Sequence, residues 1–169
     1  MSGTLLLGLG NDVAGDDAIG PLVARALLVE LEDVAEVVES SASGLALLEV
    51  LAGHDRAVVV DAVVTGRVPP GTITEMGLDE VGEVVAPSVH QAGLPELAAV
   101  AERLGLTFPS RTRVLAVEVV DPWTLGAGLS EPVARALDEV VARVRTLIRS
   151  WEEEAACTTT TLSRPSSPG

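Results

Sequence analysis

The sequence is poor in the residues that most often betray a binding mode. It has one cysteine (Cys157), no tyrosine, one phenylalanine and two tryptophans, and aromatics make up 2% of its 169 residues. A single thiol excludes an internal disulfide framework and fits a reducing compartment. Basic residues are also scarce, with 11 Lys and Arg against 25 Asp and Glu and a formal net charge of -14. That balance repels phosphate, so nucleic acid and anionic membrane are excluded as expected partners. Long apolar runs are missing too. "TLLLGLG", from Thr4, is too short for a membrane span and has no basic segment before it. The expectation is a cytoplasmic monomer that does not engage a membrane.

What is present is aliphatic. Hydrophobic residues make up 47% of the chain, mostly Val, Leu and Ala. This length suits one domain, and continuous Val/Leu runs suit a parallel or mixed sheet covered by helices. Residues 4–10 read as a buried strand running into a glycine turn. Asp16 is placed to cap a helix that carries Ile19, Leu22, Val23, Ala26 and Leu27 at helical spacing, with Pro21 in its first turn. A second strand is expected at 34–41. A short helix follows, with Gly53 past its end. "RAVVVDAV" (Arg56 to Val63) is apolar on both faces, hence a central strand. After a Pro-Pro-Gly turn, Thr72 to Met76 alternates and suits a strand of reversed direction.

A helix at 93–105 and a strand at 113–120 come next. Ser130 caps a final helix bearing Val133, Leu137, Val140, Val144, Ile148 and Trp151. The polar end "TTTTLSRPSSPG" lacks apolar surface to bury. The division is therefore one domain over 1–152 and a disordered tail over 153–169. The order β-α-β-α-β-β-α-β-α predicts a three-layer α/β/α sandwich around a five-stranded mixed, mostly parallel sheet. Sites in such sheets form where loops leave the carboxyl ends of strands.

The first such loop, "GLGNDVAGDDAIG", offers Asn11, Asp16 and Asp17. It is not a dinucleotide fingerprint, because Val13 occupies the third glycine position, and it lacks the G-K-[ST] of a P-loop. Two aspartates at a helix start also repel phosphate. The third strand ends in Asp61, a carboxylate that is costly to bury unless bonded. His90 precedes a helix, whereas His54 fits a helix C-terminus. Asp17, Asp61 and His90 together give two carboxylates and an imidazole. Such a donor set suits a divalent transition metal such as zinc or nickel. Asn11 and Gln91 are candidates for hydrogen bonds to a substrate. No HExxH motif or serine triad order is present.

Four segments, in order, resemble the hydrogenase maturation endopeptidases. "GLGNDVAGDDAIG" is similar to that family's G-x-G-N-x-x-x-x-D-[DE]-x-x-G, and "AVVVDAV" to its central strand ending in aspartate. "SVHQAGLPEL" is similar to its H-Q-x-x-L helix start, and "EVVDPWTLGAGLSEPV" to its late strand and G-x-G-L-S loop. The resemblance spans Thr4 to Trp151. It implies a phosphorylase/hydrolase-like α/β/α fold with a mixed five-stranded sheet. It also implies a catalytic, metal-binding triad of Asp17, Asp61 and His90. The first ligand is often glutamate in the family; aspartate here is one methylene shorter. Where many relatives have an aspartate followed by glycines, this chain has Glu39 followed by serines. The implied activity is cleavage near the C-terminus of a hydrogenase large-subunit precursor. The metal is nickel carried by that substrate, or another divalent transition metal. A metal-bound water or a carboxylate base would drive hydrolysis. The competing expectation is a non-catalytic nickel- or precursor-binding maturation chaperone of the same fold.

Overall fold

The computed structural model describes residues 3–81 and 93–162, the last four by backbone alone. Five strands form one sheet: β1 (Thr4–Leu9), β2 (Ala35–Ser40), β3 (Arg56–Val63), β4 (Ile73–Gly77) and β5 (Arg111–Glu118). Their spatial order is β2-β1-β3-β5-β4. All neighbours run parallel except β4, which lies antiparallel on β5. The expected reversal is therefore present, and it falls on an edge.

The described helices are α1 (Ile19–Leu27), α2 (Ala46–Leu51), α3 (Leu94–Leu104) and α4 (Glu131–Leu162). Each strand of the central three sends alternate side chains to opposite faces. Leu5, Leu7, Val59, Val63 and Val114 pack with α2 and α3, whereas Leu6, Val58, Val60 and Leu115 pack with α1 and α4. Three layers result, as the residue pattern predicts. Each fully buried Leu or Val contributes roughly 1.5–3 kcal/mol over exposure.

Helix α1 is seated differently from its sequence pattern. Leu22 is half-buried and Ala26 faces solvent, while Ala24 is fully buried. The reason lies in β1. Gly8 has no side chain, and a Cβ there would run into the Gly20 carbonyl and the Ala24 methyl. The helix therefore rests almost on the strand backbone. Gly20 fits equally tightly, against Leu9 and the carbonyl of Val60.

The final helix continues past Trp151 to Leu162, into the stretch assigned by composition to the tail. Glu152 to Ala156 are good helix formers. Arg56 bonds the Trp151 carbonyl and the Glu152 carboxylate, each at 2.7 Å, and Arg111 meets Glu154 at 2.6 Å. The Trp151 ring is fully buried, with the Arg111 guanidinium carbon 4.7 Å and that of Arg56 5.9 Å from its centroid. Arg56 and Arg111 begin β3 and β5. Helix α4 thus runs from the carboxyl edge of the sheet, at Ser130, to its amino edge.

Candidate active site

The carboxyl edge is built by loops that follow β1, β3 and β5. Gly10 leaves β1 with φ +137°, and a Cβ on it would strike the Asp17 carbonyl. The chain therefore folds straight back and brings Asp17 over the strand it has just left. The Asn11 N–H donates to the Asp17 carboxylate at 2.7 Å, and Asn11 itself accepts the Val13 N–H at 3.1 Å. Asn11 thus organises the loop. Gly10 fulfils the turn expected of it, whereas Gly8 lies inside β1 and serves helix packing.

Asp16 is not a helix cap. The turn holding it is a 3-10 helix (Gly15–Ala18) whose N-cap position is Ala14, with no side-chain cap. Asp16 is fully buried, and its carboxylate accepts the N–H groups of Val120, Asp121 and Ser130 at 2.9, 3.0 and 2.6 Å. The Ser130 hydroxyl donates to it as well, at 2.9 Å. In return, the Asp16 N–H donates to the Asp121 carbonyl at 2.8 Å. The first loop is thereby clamped to the loop after β5 and to the start of α4. Ser130 still begins the helix, through its carbonyl, which accepts the Ala134 N–H.

Asp61 is fully buried on β3, paired with Ala116 of β5. Its neighbour Val60 is the last β3 residue paired with β1, opposite Gly8. Alternation puts Asp61 on the side of Val59 and Val63, the α2/α3 face. Gly20 packs on Val60, so the turn bearing Asp17 and the strand position of Asp61 lie at the same edge. His90 and Gln91 fall outside the described residues. Val81 and Leu94, which flank that segment, are both buried in the same cluster as Val59 and Val63. Among the described residues, no three His, Cys, Asp or Glu side chains gather closely enough to hold a metal.

Glu39 faces a polar cleft of about 250 Å³ beside this edge, lined also by Gly10, Asn11, Asp12 and Arg25. Its carboxylate takes both the Nε and Nη2 hydrogens of Arg25, at 2.8 and 2.6 Å, and Asp12 shares the same guanidinium at 2.6 Å. Glu39 is therefore held by an arginine rather than directed at Asp17. His54 sits at the end of α2, bonded to the Leu51 carbonyl and Glu36, as its position after a helix predicts.

A family model described as hydrogenase maturation protease, HycI, matches residues 21–146. The chain belongs to the hydrogenase maturation protease family. The protease is 29% identical over 152 residues to the hydrogenase expression/formation protein HupD of Rhizobium leguminosarum bv. viciae, covering 87% of this chain and 74% of that one. It is 29% identical over 148 residues to the hydrogenase 2 maturation protease of Escherichia coli K12, covering 83% and 90%. Among solved structures, it matches the hydrogenase maturating endopeptidase HybD of E. coli with a TM-score of 0.73 and 26% identity, over 88% and 93% of the two chains. The protease is thus a peptide-bond hydrolase of this family, with the α/β/α fold expected from its sequence. No helix among its described residues is long and apolar enough to cross a membrane.

The Asp16 clamp is not legible in the sequence. Its donors lie 104 to 114 residues downstream, where no local pattern points to them. The adjacent helix offered a nearer and more ordinary explanation.

Proposed function

We propose that this protease removes a C-terminal extension from the large-subunit precursor of a nickel–iron hydrogenase, acting on the nickel-loaded form. Asp17, Asp61 and His90 are the residues assigned to the reaction. The observation that supports this is the seating of the Asp17 turn. Gly20 packs on Val60, the residue before the buried Asp61, and Gly10 folds under Asp17.

The chemistry of these donors suits the task. Two carboxylates and an imidazole match a borderline divalent metal, and nickel held by the substrate supplies the Lewis-acidic centre that such donors recognise. Recognition of that centre sets the scissile bond against the same residues. Asp17 or Asp61 takes a proton from the attacking water, and the proton then returns to the leaving amine. The β3 backbone fixes Asp61, while the Asn11 N–H orients the Asp17 carboxylate.

The test is mass spectrometry of nickel-loaded and nickel-free precursor after incubation with the purified chain. The loaded form is expected to shorten and the nickel-free form to stay intact. Equal cleavage of both would remove nickel recognition. Unchanged mass of the loaded form, with binding retained, would favour a non-catalytic chaperone. Asp61→Asn and His90→Ala are each expected to slow processing by about 100-fold or more. Full activity in either variant would take that residue out of the site.

A further inference from the structure

Two large apolar side chains stand in solvent beside the proposed site. Trp123 is 68% exposed and Leu125 is 72% exposed. Both lie in the loop after β5. Val13, in the first loop, is 57% exposed. Isolated exposed hydrophobic groups are ordinary, but these are held together by the backbone. Ala14 and Leu125 form an antiparallel bridge, and the Gly126 N–H donates to the Val13 carbonyl at 2.7 Å. The tip around Trp123 is also fixed. Asp121 accepts the N–H groups of Trp123 and Thr124, both at 3.0 Å. Behind them, the Asp16 carboxylate locks Val120, Asp121 and Ser130 in place.

We propose that Trp123, Leu125 and Val13 form a docking platform for an apolar segment of the polypeptide substrate, flanked by basic residues, and that Asp16 fixes its distance from Asp17. The inference rests on the peptidase reading given above and adds the part of the substrate that this chain grips away from the scissile bond. Three observations favour that occupant. The platform is continuous with the site, because Asp17 follows Ala14 within one 3-10 turn. Apolar anchors presented by a rigid backbone lose little entropy on binding, and tryptophan is the side chain most often found at the centre of such contacts. The border is acidic. Asp12 and Glu39 share one arginine, which leaves that group net negative, and the whole chain carries -14. A partner segment bearing Lys or Arg next to its apolar residues complements both features.

Two measurements on the full chain test this. In processing assays on the nickel-loaded precursor, Trp123→Ser/Leu125→Ser is expected to raise KM by about tenfold or more, with kcat within about twofold. Wild-type KM is expected to rise with ionic strength. Both substituted residues are largely exposed, so the fold should survive, and an unchanged unfolding midpoint checks it. The chain has two tryptophans, and Trp151 is fully buried. With 5-fluorotryptophan in this chain alone, unlabelled precursor is expected to shift the Trp123 fluorine resonance and leave Trp151 in place. An unchanged KM in the double variant, or an unmoved Trp123 resonance, overturns the platform. A salt-independent KM overturns its pairing with basic residues. If the precursor shifts Trp123 but is never shortened, the platform stands and the peptidase reading falls.

Discussion

Removing the Asp16 carboxylate leaves three N–H groups and one hydroxyl without their acceptor, at a position closed to solvent. Each buried donor left unsatisfied costs about 1–3 kcal/mol. Asp16→Ala is therefore expected to destabilise the fold by roughly 3 kcal/mol or more in denaturant unfolding, given partial rescue by water. Asp17→Asn keeps an oxygen for the Asn11 N–H and is expected to stay within about 1 kcal/mol of wild type while processing collapses. An Asp17→Asn chain that processes normally would move the chemistry elsewhere. The sequence offered these two carboxylates as neighbours with separate tasks, and in the structure they bond different partners, Asp17 the Asn11 N–H and Asp16 the loop after β5. What it changes is the task of Asp16, from a local cap to a long-range clamp. Helix capping is visible within four residues; a bond spanning most of the chain is not.

At the scale of elements, alternation and run length were enough to place the strands. β3 has the predicted limits, because both its faces are covered and every position between Arg56 and Asp61 is apolar. β5 begins and ends earlier than its Val-rich stretch suggests. Arg111 and Thr112 pair with Arg56 and Ala57, which lengthens the start. At the other end, the buried Glu118 carboxylate leaves the ladder's logic and accepts the N–H groups of Thr65 and Gly66 at 2.8 Å each. Charged strand ends whose partners lie in another loop hide the true boundary from any periodicity argument. The contact of α1 with β1 was not legible in the sequence, where the glycines of the first loop read only as a turn. Its meaning, a helix resting on bare backbone, appears once Gly8 and Gly20 are seen face to face. Gly20→Ala is expected to cost on the order of 1–3 kcal/mol, because backbone and not a flexible side chain occupies the space. Processing by that variant is expected to fall more than stability alone explains, since the same contact seats the Asp17 turn. A denaturation midpoint measured beside the rate separates the two effects.

Across the whole molecule the two ends of the sheet differ in character. The carboxyl edge carries the clamped loops, the assigned acids and the exposed Trp123 and Leu125. The amino edge is closed by paired charges, with Arg56 and Arg111 bracketing Trp151 and bound to Glu152 and Glu154. Helix α4 spans the distance between them and carries the sole cysteine, Cys157, exposed beyond Trp151. That arrangement provides a natural handle. A maleimide linker on Cys157 would tether every molecule in one orientation, with its working end facing away from the support. Beads loaded in this way are expected to process precursor at the rate of the dissolved protein.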